Sequence, residues 1–223
     1  MKLQRNRPPR RTYRLIPSRF PPIGLFDTVA TAADLEAVME LAGWTNDRLV
    51  AERIGRLPQS EWVYGRANAS VVMAAFLHVA PAGARFNGPH LGAWYAAAEI
   101  RTSAAEVGHH LRRELVATHA EALSRTFRAY SARLEGEFVD IRGLQSDMPE
   151  LYRPDSYAES QVFGEAQRSA GEAGILFDSV RLRGGINVAA FRPSLVLDVT
   201  QTDHFEISVS AKARTIEVRR LAA

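Results

Sequence analysis

Alternation of apolar and polar residues is the sequence feature that most restricts the fold of this chain. It occurs in 126-TFRAYSARL-134 and again near the C-terminus in residues 195–199, 204–209 and 214–220. A period of two residues is typical of strands that bury one face, and it favours antiparallel pairing. The pattern therefore predicts an α+β protein with a mixed, mostly antiparallel sheet. Further strands are predicted at 13–16, 91–98, 138–141, 174–177 and 187–191.

Helical spacing of apolar residues predicts helices around this sheet. The segments 31-TAADLEAVMELAGW-44 and 45-TNDRLVAERIGRL-57 are amphipathic, and Thr31 with Asp34 forms an N-cap signature. The apolar run 70-SVVMAAFLHV-79 fits a buried helix or a buried strand, and its periodicity does not decide between them.

Capping signals predict where two more helices begin. One is expected to start at Thr102 or Ser103 and to continue to about residue 123. The other is expected over about 156–170, where Ser156 and Glu159 have the spacing of a capping box.

Length and composition exclude several classes of protein. The chain has 223 residues, enough to bury a core without disulfides, and it has no cysteine, which excludes thiolate catalysis and cysteine-ligated zinc. No apolar run approaches the roughly 20 residues of a membrane-spanning helix, and the N-terminus lacks the pattern of a secretory signal, so a cytoplasmic location is expected. The net charge of +3 reflects a basic N-terminal segment, residues 1–12, which we interpret as a flexible arm.

Standard cofactor and metal motifs are absent from the sequence. There is no G-x-G-x-x-G after a strand, no Walker A motif, no H-E-x-x-H and no G-x-S-x-G. His109 and His110 are adjacent on a predicted helix, so their side chains point about 100° apart and do not have the spacing of a metal-binding pair. We therefore expect no metal site.

One short stretch, 85-RFNGPHLGAWYAAAEIRTSAAE-106, combines groups suited to a dinucleotide. Arg85 offers a guanidinium for phosphate, Tyr95 an aromatic wall, and Glu106 a carboxylate for a ribose. Ser179 adds a hydroxyl in the distant polar loop 177-FDSVRLRGGIN-187. Each residue also has a structural explanation: a turn, the core, a polar loop or, for Glu106, a capping box.

The ordered set of motifs resembles a known family. The elements G-x-R-F-N, W-Y, T-S-A-A-E-V, G-I-L-F-D-S-V-R and N-V-A-A-F-R-P are similar to those of the RES-domain toxins of bacterial Xre–RES toxin–antitoxin modules. The similarity spans most of residues 13–194. It implies a single RES-type domain over residues 13–223, with a helical insertion at about 25–80.

The resemblance implies an ADP-ribosyltransferase-like fold, in which a split sheet surrounds an NAD-binding cleft. In this interpretation Arg85 binds the diphosphate, and Tyr95 packs on nicotinamide. Glu106 holds the ribose hydroxyls and stabilises an oxocarbenium-like transition state. Ser179 forms a hydrogen bond near the ribose or to the nicotinamide amide. The other residues implied in cofactor binding are Arg14, as a second phosphate contact, and the motif asparagines Asn87 and Asn187.

The function implied by the resemblance is that of a toxin that uses NAD as substrate, without a metal. It would cleave the nicotinamide–ribose bond by hydrolysis or phosphorolysis and arrest growth. The expected partner is a helix-turn-helix, Xre-like antitoxin, through which alone the toxin would contact DNA. A homo-oligomer is left open, and no association with a membrane is expected.

Three alternative functions stay open from the sequence alone. The same fold and NAD site could transfer ADP-ribose to a cellular protein. The chain could instead be a non-catalytic module whose arginine-rich arm binds nucleic acid, with salt-sensitive affinity. Finally, it could be a structural protein in which Glu106 only caps a helix.

Overall fold

The structure, a computed structural model, describes residues 3–20, 24, 26–31, 33–34, 52–213 and 215–222. Within these residues, nine strands form one sheet in the order β1-β5-β6-β7-β3-β2-β4-β8-β9. The strands are β1 (Gln4–Asn6), β2 (Thr12–Pro17), β3 (Trp94–Ala97), β4 (Ala122–Leu134), β5 (Phe138–Asp140), β6 (Gly174–Asp178), β7 (Ile186–Ala190), β8 (Val196–Ser210) and β9 (Ile216–Leu221).

Neighbouring strands of this sheet are antiparallel, except that β5 and β6 are parallel. The helices of the described part are α1 (Ala69–Leu77), α2 (Ile100–Thr118) and α3 (Ala158–Ser169). Short 3-10 turns cover Gln59–Glu61, Pro149–Tyr152 and Pro193–Leu195. The predicted α+β class with a mostly antiparallel sheet is confirmed.

The apolar run at 70–79 is the helix α1. Its first turn is held by Asp27, whose two carboxylate oxygens accept hydrogen bonds from the backbone N–H groups of Asn68 (3.0 Å) and Ser70 (2.7 Å). Phe76 and Met73 are fully buried, and they pack toward the sheet around Trp94. A carboxylate at a helix N-terminus stabilises it because the first N–H groups of a helix have no acceptor within the helix.

The two faces of the sheet carry separate cores. One face packs on α1. On the other face, one apolar cluster lies under α2 and includes Leu111 and Phe127. A second cluster on that face includes Phe86 and Phe177, with Phe163 of α3 packed against it. This division places α2 over β8, β2 and β4, with β3 next to it.

Strands β2 and β3 diverge in the middle of the sheet. Their only described pairing is Tyr13 with Ala97, whereas β2 pairs with β4 along its whole length. Arg14 occupies the divergence: its Nη1 donates to the carbonyl oxygen of Tyr95 (3.0 Å), and its guanidinium lies 5.1 Å from the Trp94 ring centroid. The sheet is nevertheless continuous, and at this junction one described residue pair joins its two halves.

The prediction of a flexible arm over residues 1–12 is wrong for Gln4–Asn6, which form the edge strand β1. They pair with β5, Arg5 forms an ion pair with Glu172, and Asn6 donates to Asp140 (2.8 Å). These partners are distant in the chain, so local composition gives no sign of them.

Both capping boxes predicted from sequence are wrong. Helix α2 begins at Ile100 after Glu99 in extended conformation, and Ser103 is already inside the helix, where its hydroxyl donates to the carbonyl oxygen of Tyr13 (2.7 Å). Helix α3 begins at Ala158 after Tyr157, two residues beyond Ser156, and neither helix has a side-chain cap. The alternative in which Glu106 only caps a helix is thereby excluded.

The C-terminal strands are longer than the alternation predicts. Residues 195–199 and 204–209 were expected as separate strands, but both belong to the continuous strand β8, which pairs with β4. The polar residues between them stay in the sheet through two register shifts, one opposite residues 128–130 and one opposite residues 131–133, and through a positive φ at Asp198. Bulges of this kind let a strand bend without ending.

The predicted helices over 31–44 and 45–57 lie mostly outside the described residues. The N-cap signature is present: Thr31 and Asp34 exchange hydrogen bonds between side chain and backbone, both 3.1 Å long. Residues 33–34 and 52–54 are helical. Over the residues that the structure describes, no helix has the length and apolar character needed to span a membrane.

Candidate active site

The Glu106 carboxylate joins three elements of the fold. It projects from α2, and its Oε1 accepts hydrogen bonds from the Ser179 hydroxyl and from Asn187 Nδ2, both 2.7 Å long. Ser179 follows β6 and Asn187 lies in β7. Hydrogen bonds to an ionised acceptor are stronger than neutral ones, so these contacts fix the carboxylate in one orientation. We call Glu106, Ser179 and Asn187 the carboxylate cluster.

The Ser179 loop is shaped to lie against α2. The Ser179 hydroxyl accepts hydrogen bonds from the backbone N–H groups of Arg181 (3.1 Å) and Leu182 (3.0 Å), so its own proton is directed at Glu106. Gly185 closes the loop by accepting from the Ser179 N–H at 2.8 Å. A Cβ at residue 185 would lie 2.8 Å from the Thr102 methyl carbon, so glycine permits this close approach.

The second carboxylate oxygen of Glu106 is free for a ligand. Within the described part of the chain, Oε2 has no hydrogen-bond partner, because both Ser179 and Asn187 donate to Oε1. A carboxylate that is held through one oxygen and open at the other can accept hydroxyl groups of a sugar without moving.

Arg85 is nearly buried and faces a strap formed by residues 151–154. Its Nη1 donates to the carbonyl oxygens of Leu151 (2.9 Å) and Arg153 (3.1 Å), and its guanidinium stacks 4.7 Å from the Tyr157 ring centroid. Neither Nε nor Nη2 of Arg85 has an acceptor among the described residues. The guanidinium is thus oriented from one side and keeps N–H groups available on the other.

The Tyr95 hydroxyl holds the loop that carries Arg85. It accepts a hydrogen bond from the Phe86 N–H (2.9 Å) and donates to Asn87 Oδ1 (2.8 Å). Asn87 completes the turn by donating from Nδ2 to the Gly88 carbonyl oxygen (2.8 Å). Burial raises the pKa of Tyr95, which keeps the hydroxyl protonated and able to donate.

Helix α3 holds the same loop from outside. Gln161 Nε2 donates to the carbonyl oxygens of Ala82 (2.7 Å) and Ala84 (3.0 Å). Gly164 lies so close to the loop that a Cβ there would be 2.1 Å from the Phe86 carbonyl oxygen. The position of Arg85 therefore depends on Tyr95 beneath the loop and on α3 above it.

The charged side chains of the site are two arginines, Arg85 and Arg181, near the Glu106 carboxylate. Burial lowers the pKa of Arg85, whereas Tyr157 and Glu106 favour its charged form. Burial and then Arg181 lower the pKa of His109 to about 4, so that this histidine is neutral near pH 7. Arg85 and Arg181 thus lie close enough to the carboxylate cluster to make the cleft suitable for an anion such as a diphosphate.

The structure brings some of the predicted residues together and separates others. Ser179 and Asn187 contact Glu106 directly, and Arg85 lies near them. The side-chain amide of Asn87 forms its hydrogen bonds within the Arg85 loop. Arg14 contacts Trp94 on one side of the sheet, whereas its neighbour Leu15 packs under the helix that carries Glu106. Burial lowers the pKa of Arg14 to about 10, and its Nε is buried without an acceptor.

Sequence reasoning missed two residues of the site. Tyr157 stacks on Arg85 from a position 72 residues away (157 − 85), and no local pattern indicates such a contact. Arg181 donates to the carbonyl oxygen of Pro154, so that it and Arg85 bind the same strap. The position of Arg181 in the family motif D-S-V-R could have indicated that it belongs to the site.

The described residues contain no group of three or more His, Asp or Glu side chains arranged to hold a metal. His109 and His110 stand with ring centroids 5.7 Å apart and ring planes inclined by 64°.

Comparison with known proteins identifies the family. A family model described as the RES domain matches residues 52–210. The chain belongs to the RES domain family. The match contains Arg85, Tyr95, Glu106, Ser179 and Asn187, whereas Arg14 lies outside it.

Two known proteins show similarity to this RES-domain chain. The uncharacterized protein y4oC of Sinorhizobium fredii (strain NBRC 101917 / NGR234) is 27% identical over 195 residues, which cover 86% of this chain and 80% of that protein. Among solved structures, the M. tuberculosis MbcT–MbcA toxin–antitoxin complex contains a chain with 17% identity and a TM-score of 0.40; the alignment covers 55% of this chain and 73% of that one.

The Tyr95 hydroxyl gives a first prediction. Tyr95→Phe removes the acceptor of the Phe86 N–H and leaves a buried amide unpaired, which should lower the free energy of unfolding by about 1–3 kcal/mol. The measurement is urea denaturation followed by fluorescence. Tyr64→Phe is the matched control, since Tyr64 is half-buried and its hydroxyl has no described hydrogen bond. Equal stability of the two variants would contradict the role given to Tyr95.

The contact between α3 and the Arg85 loop gives a second prediction. Gly164→Ala forces a methyl group against the Phe86 carbonyl, and it should destabilise the protein by about 1–3 kcal/mol through overpacking. Gly88→Ala is the control, because its Cβ would meet nothing closer than Glu165 at 3.8 Å. Thermal unfolding of both variants checks this, and a tolerated Gly164→Ala would mean that α3 does not clamp the loop.

Proposed function

We propose that this chain is the toxin of a toxin–antitoxin module and that it consumes NAD by breaking the bond between nicotinamide and ribose. Membership of the RES domain family supports a toxin. The observation that supports NAD cleavage is the carboxylate cluster, in which Glu106 is fixed through Oε1, open at Oε2 and flanked by Arg85 and Arg181.

The chemistry follows from the charges of NAD. The nicotinamide ring carries a positive charge, so it leaves as a neutral molecule with the electron pair of the C1′–N1 bond. Positive charge then develops on the ribose ring, and a nearby carboxylate stabilises it. Glu106 would accept hydrogen bonds from the ribose hydroxyls at Oε2 and place its charge beside the ring. A nucleophile then bonds to C1′ and loses its proton.

The surrounding residues would position the substrate. Arg85 would bind the diphosphate through the N–H groups that do not contact the strap, with Tyr157 stacked behind it. The Tyr95 ring would form a wall for nicotinamide, while its hydroxyl continues to hold the Arg85 loop. Ser179 and Asn187 would act through Glu106, by fixing its orientation. Arg14, which contacts Trp94, is proposed only as a remote phosphate contact.

The proposal includes a cognate helix-turn-helix antitoxin that binds the protein and blocks its activity. Co-expression of such a partner from the neighbouring gene should restore growth to cells that produce the chain. Growth arrest that persists despite a bound antitoxin would contradict this part of the proposal.

Glu106→Gln tests the chemical role of the carboxylate. Glutamine keeps the size of the side chain but removes its charge, so nicotinamide release from NAD should fall about 10²- to 10³-fold, the usual cost of losing one transition-state contact. Chromatography of the products measures release, and thermal unfolding shows that the fold is retained. Glu159→Gln, an exposed substitution on α3, is the control and should behave as wild type.

The same pair of variants links chemistry to toxicity. Cells that produce Glu106→Gln should grow, and cells that produce Glu159→Gln should arrest. A wild-type protein that leaves NAD intact with and without phosphate and with cell extract would contradict NAD consumption. Release that requires extract, together with labelled protein in mass spectrometry, would instead identify transfer of ADP-ribose to a protein.

Arg85→Lys tests recognition of the diphosphate. Lysine keeps the positive charge but loses the planar fork that binds two phosphate oxygens, which should lower kcat/KM for NAD about 10- to 100-fold, mostly through KM. Arg10→Lys, at an exposed position near the N-terminus, is the control. A kcat/KM equal to that of wild type would remove Arg85 from the substrate site.

A further inference from the structure

Strand β9 forms a free edge of the sheet. Ile216–Leu221 pair with β8 on one side, and no strand of the described residues pairs with the other side. Residues 217–220 are exposed, and Val218 shows 47% of its surface to solvent. This strand lies beyond residue 210, where the match to the RES domain ends. An exposed strand edge is a template for pairing with another chain.

An apolar groove runs beside this edge. It has a volume of about 360 Å³ and lies between the first turns of α2, the end of the Ser179 loop and the β8–β9 hairpin. Its lining residues are Ile100, Arg101, Ala104, Ala105, Arg181, Leu182, Phe205, Ile216 and Val218. Ile216 and Val218 therefore point from β9 toward α2, on the inner face of the sheet.

We propose that a second copy of this chain pairs its β9 antiparallel with this β9, across a twofold axis at Val218. Strands related by such an axis place residues of the same face opposite each other. Val218 then faces Val218 of the second copy, Glu217 faces Arg219, and Ile216 faces Arg220. The proposal does not rest on NAD cleavage.

The three pairs of residues nearest the axis are complementary in this register. On the inner face, Ile207 of β8 lies opposite Val218, so an apolar row continues from Ile207 and Val218 into the same two residues of the second copy. On the outer face, Glu206 pairs with Arg219 at 2.7 Å, and Arg219 would next meet Glu217 of the second copy. The charges alternate across the interface.

The neighbouring registers are excluded by their charges. An axis at Arg219 places two arginines opposite each other, and an axis at Glu217 does the same with two glutamates. Like charges directly opposite destabilise a strand pair. Charged residues usually prevent association at a sheet edge, but here their order allows one self-complementary register.

A single cysteine tests this register, because the chain has no cysteine of its own. Val218→Cys places two sulfurs opposite each other across the axis, at a separation between backbones that a disulfide spans. Mild oxidation at low micromolar concentration should convert most of this variant to a linked dimer. Val116→Cys, at a position on α2 that is 65% exposed, is the control and should stay largely unlinked.

Charge reversal tests the same contact without a covalent bond. Glu217→Arg and Arg219→Glu should each weaken the dimer about tenfold in sedimentation equilibrium, since each puts like charges opposite at two symmetric positions. The double variant should recover most of the loss. The proposal is overturned if wild type sediments as a monomer, if Val218→Cys links no better than Val116→Cys, or if the double variant is weaker than both single ones.

Discussion

The two hydrogen bonds that Glu106 accepts are the interaction on which the site depends. They join α2 to the loop after β6 and to β7, so the helix, the loop and the centre of the sheet share one carboxylate. Hydrogen bonds to a charged group contribute about 1.5–3 kcal/mol each, and loss of the carboxylate would leave Ser179 and Asn187 without their acceptor. The same contacts leave Oε2 of Glu106 open. One carboxylate therefore stabilises the fold through Oε1 and is available for the proposed reaction through Oε2.

A different set of contacts holds the Arg85 side of the cleft. Its loop is not itself a helix or a strand, and it is held by the Tyr95 hydroxyl on one side and by α3 on the other. Tyr95 thus has a structural duty in addition to any contact with nicotinamide. The strap at 151–154 then orients the guanidinium, and Arg181 holds the strap from its other end. The two sides meet at α2, from which Glu106 reaches Asn187 of β7.

Much of the fold follows from alternation and from glycine and proline, because these features act locally. The strands around Tyr95 and Asn187 and the antiparallel character of the sheet were predictable for this reason. Contacts between distant residues were not predictable. Residues 4–6 form β1 because β5 offers an edge, and β8 is continuous because bulges opposite residues 128–130 and 131–133 accommodate its polar residues. Glu106 does not cap its helix, since its partners lie more than 70 residues away in the chain. The family motifs contain Arg85, Glu106 and Ser179. They gave no indication that Arg14 contacts Trp94 away from the carboxylate cluster, or that Tyr157 stacks on Arg85.

A crystal structure of the Glu106→Gln variant with NAD tests the role of Glu106 most directly. We expect the hydroxyl groups of the nicotinamide ribose to lie within hydrogen-bond distance of residue 106, on the side away from Ser179 and Asn187. The diphosphate should contact the Arg85 guanidinium. NAD bound with its nicotinamide ribose away from residue 106, or with its diphosphate out of contact with Arg85, would contradict the proposed roles of these two residues.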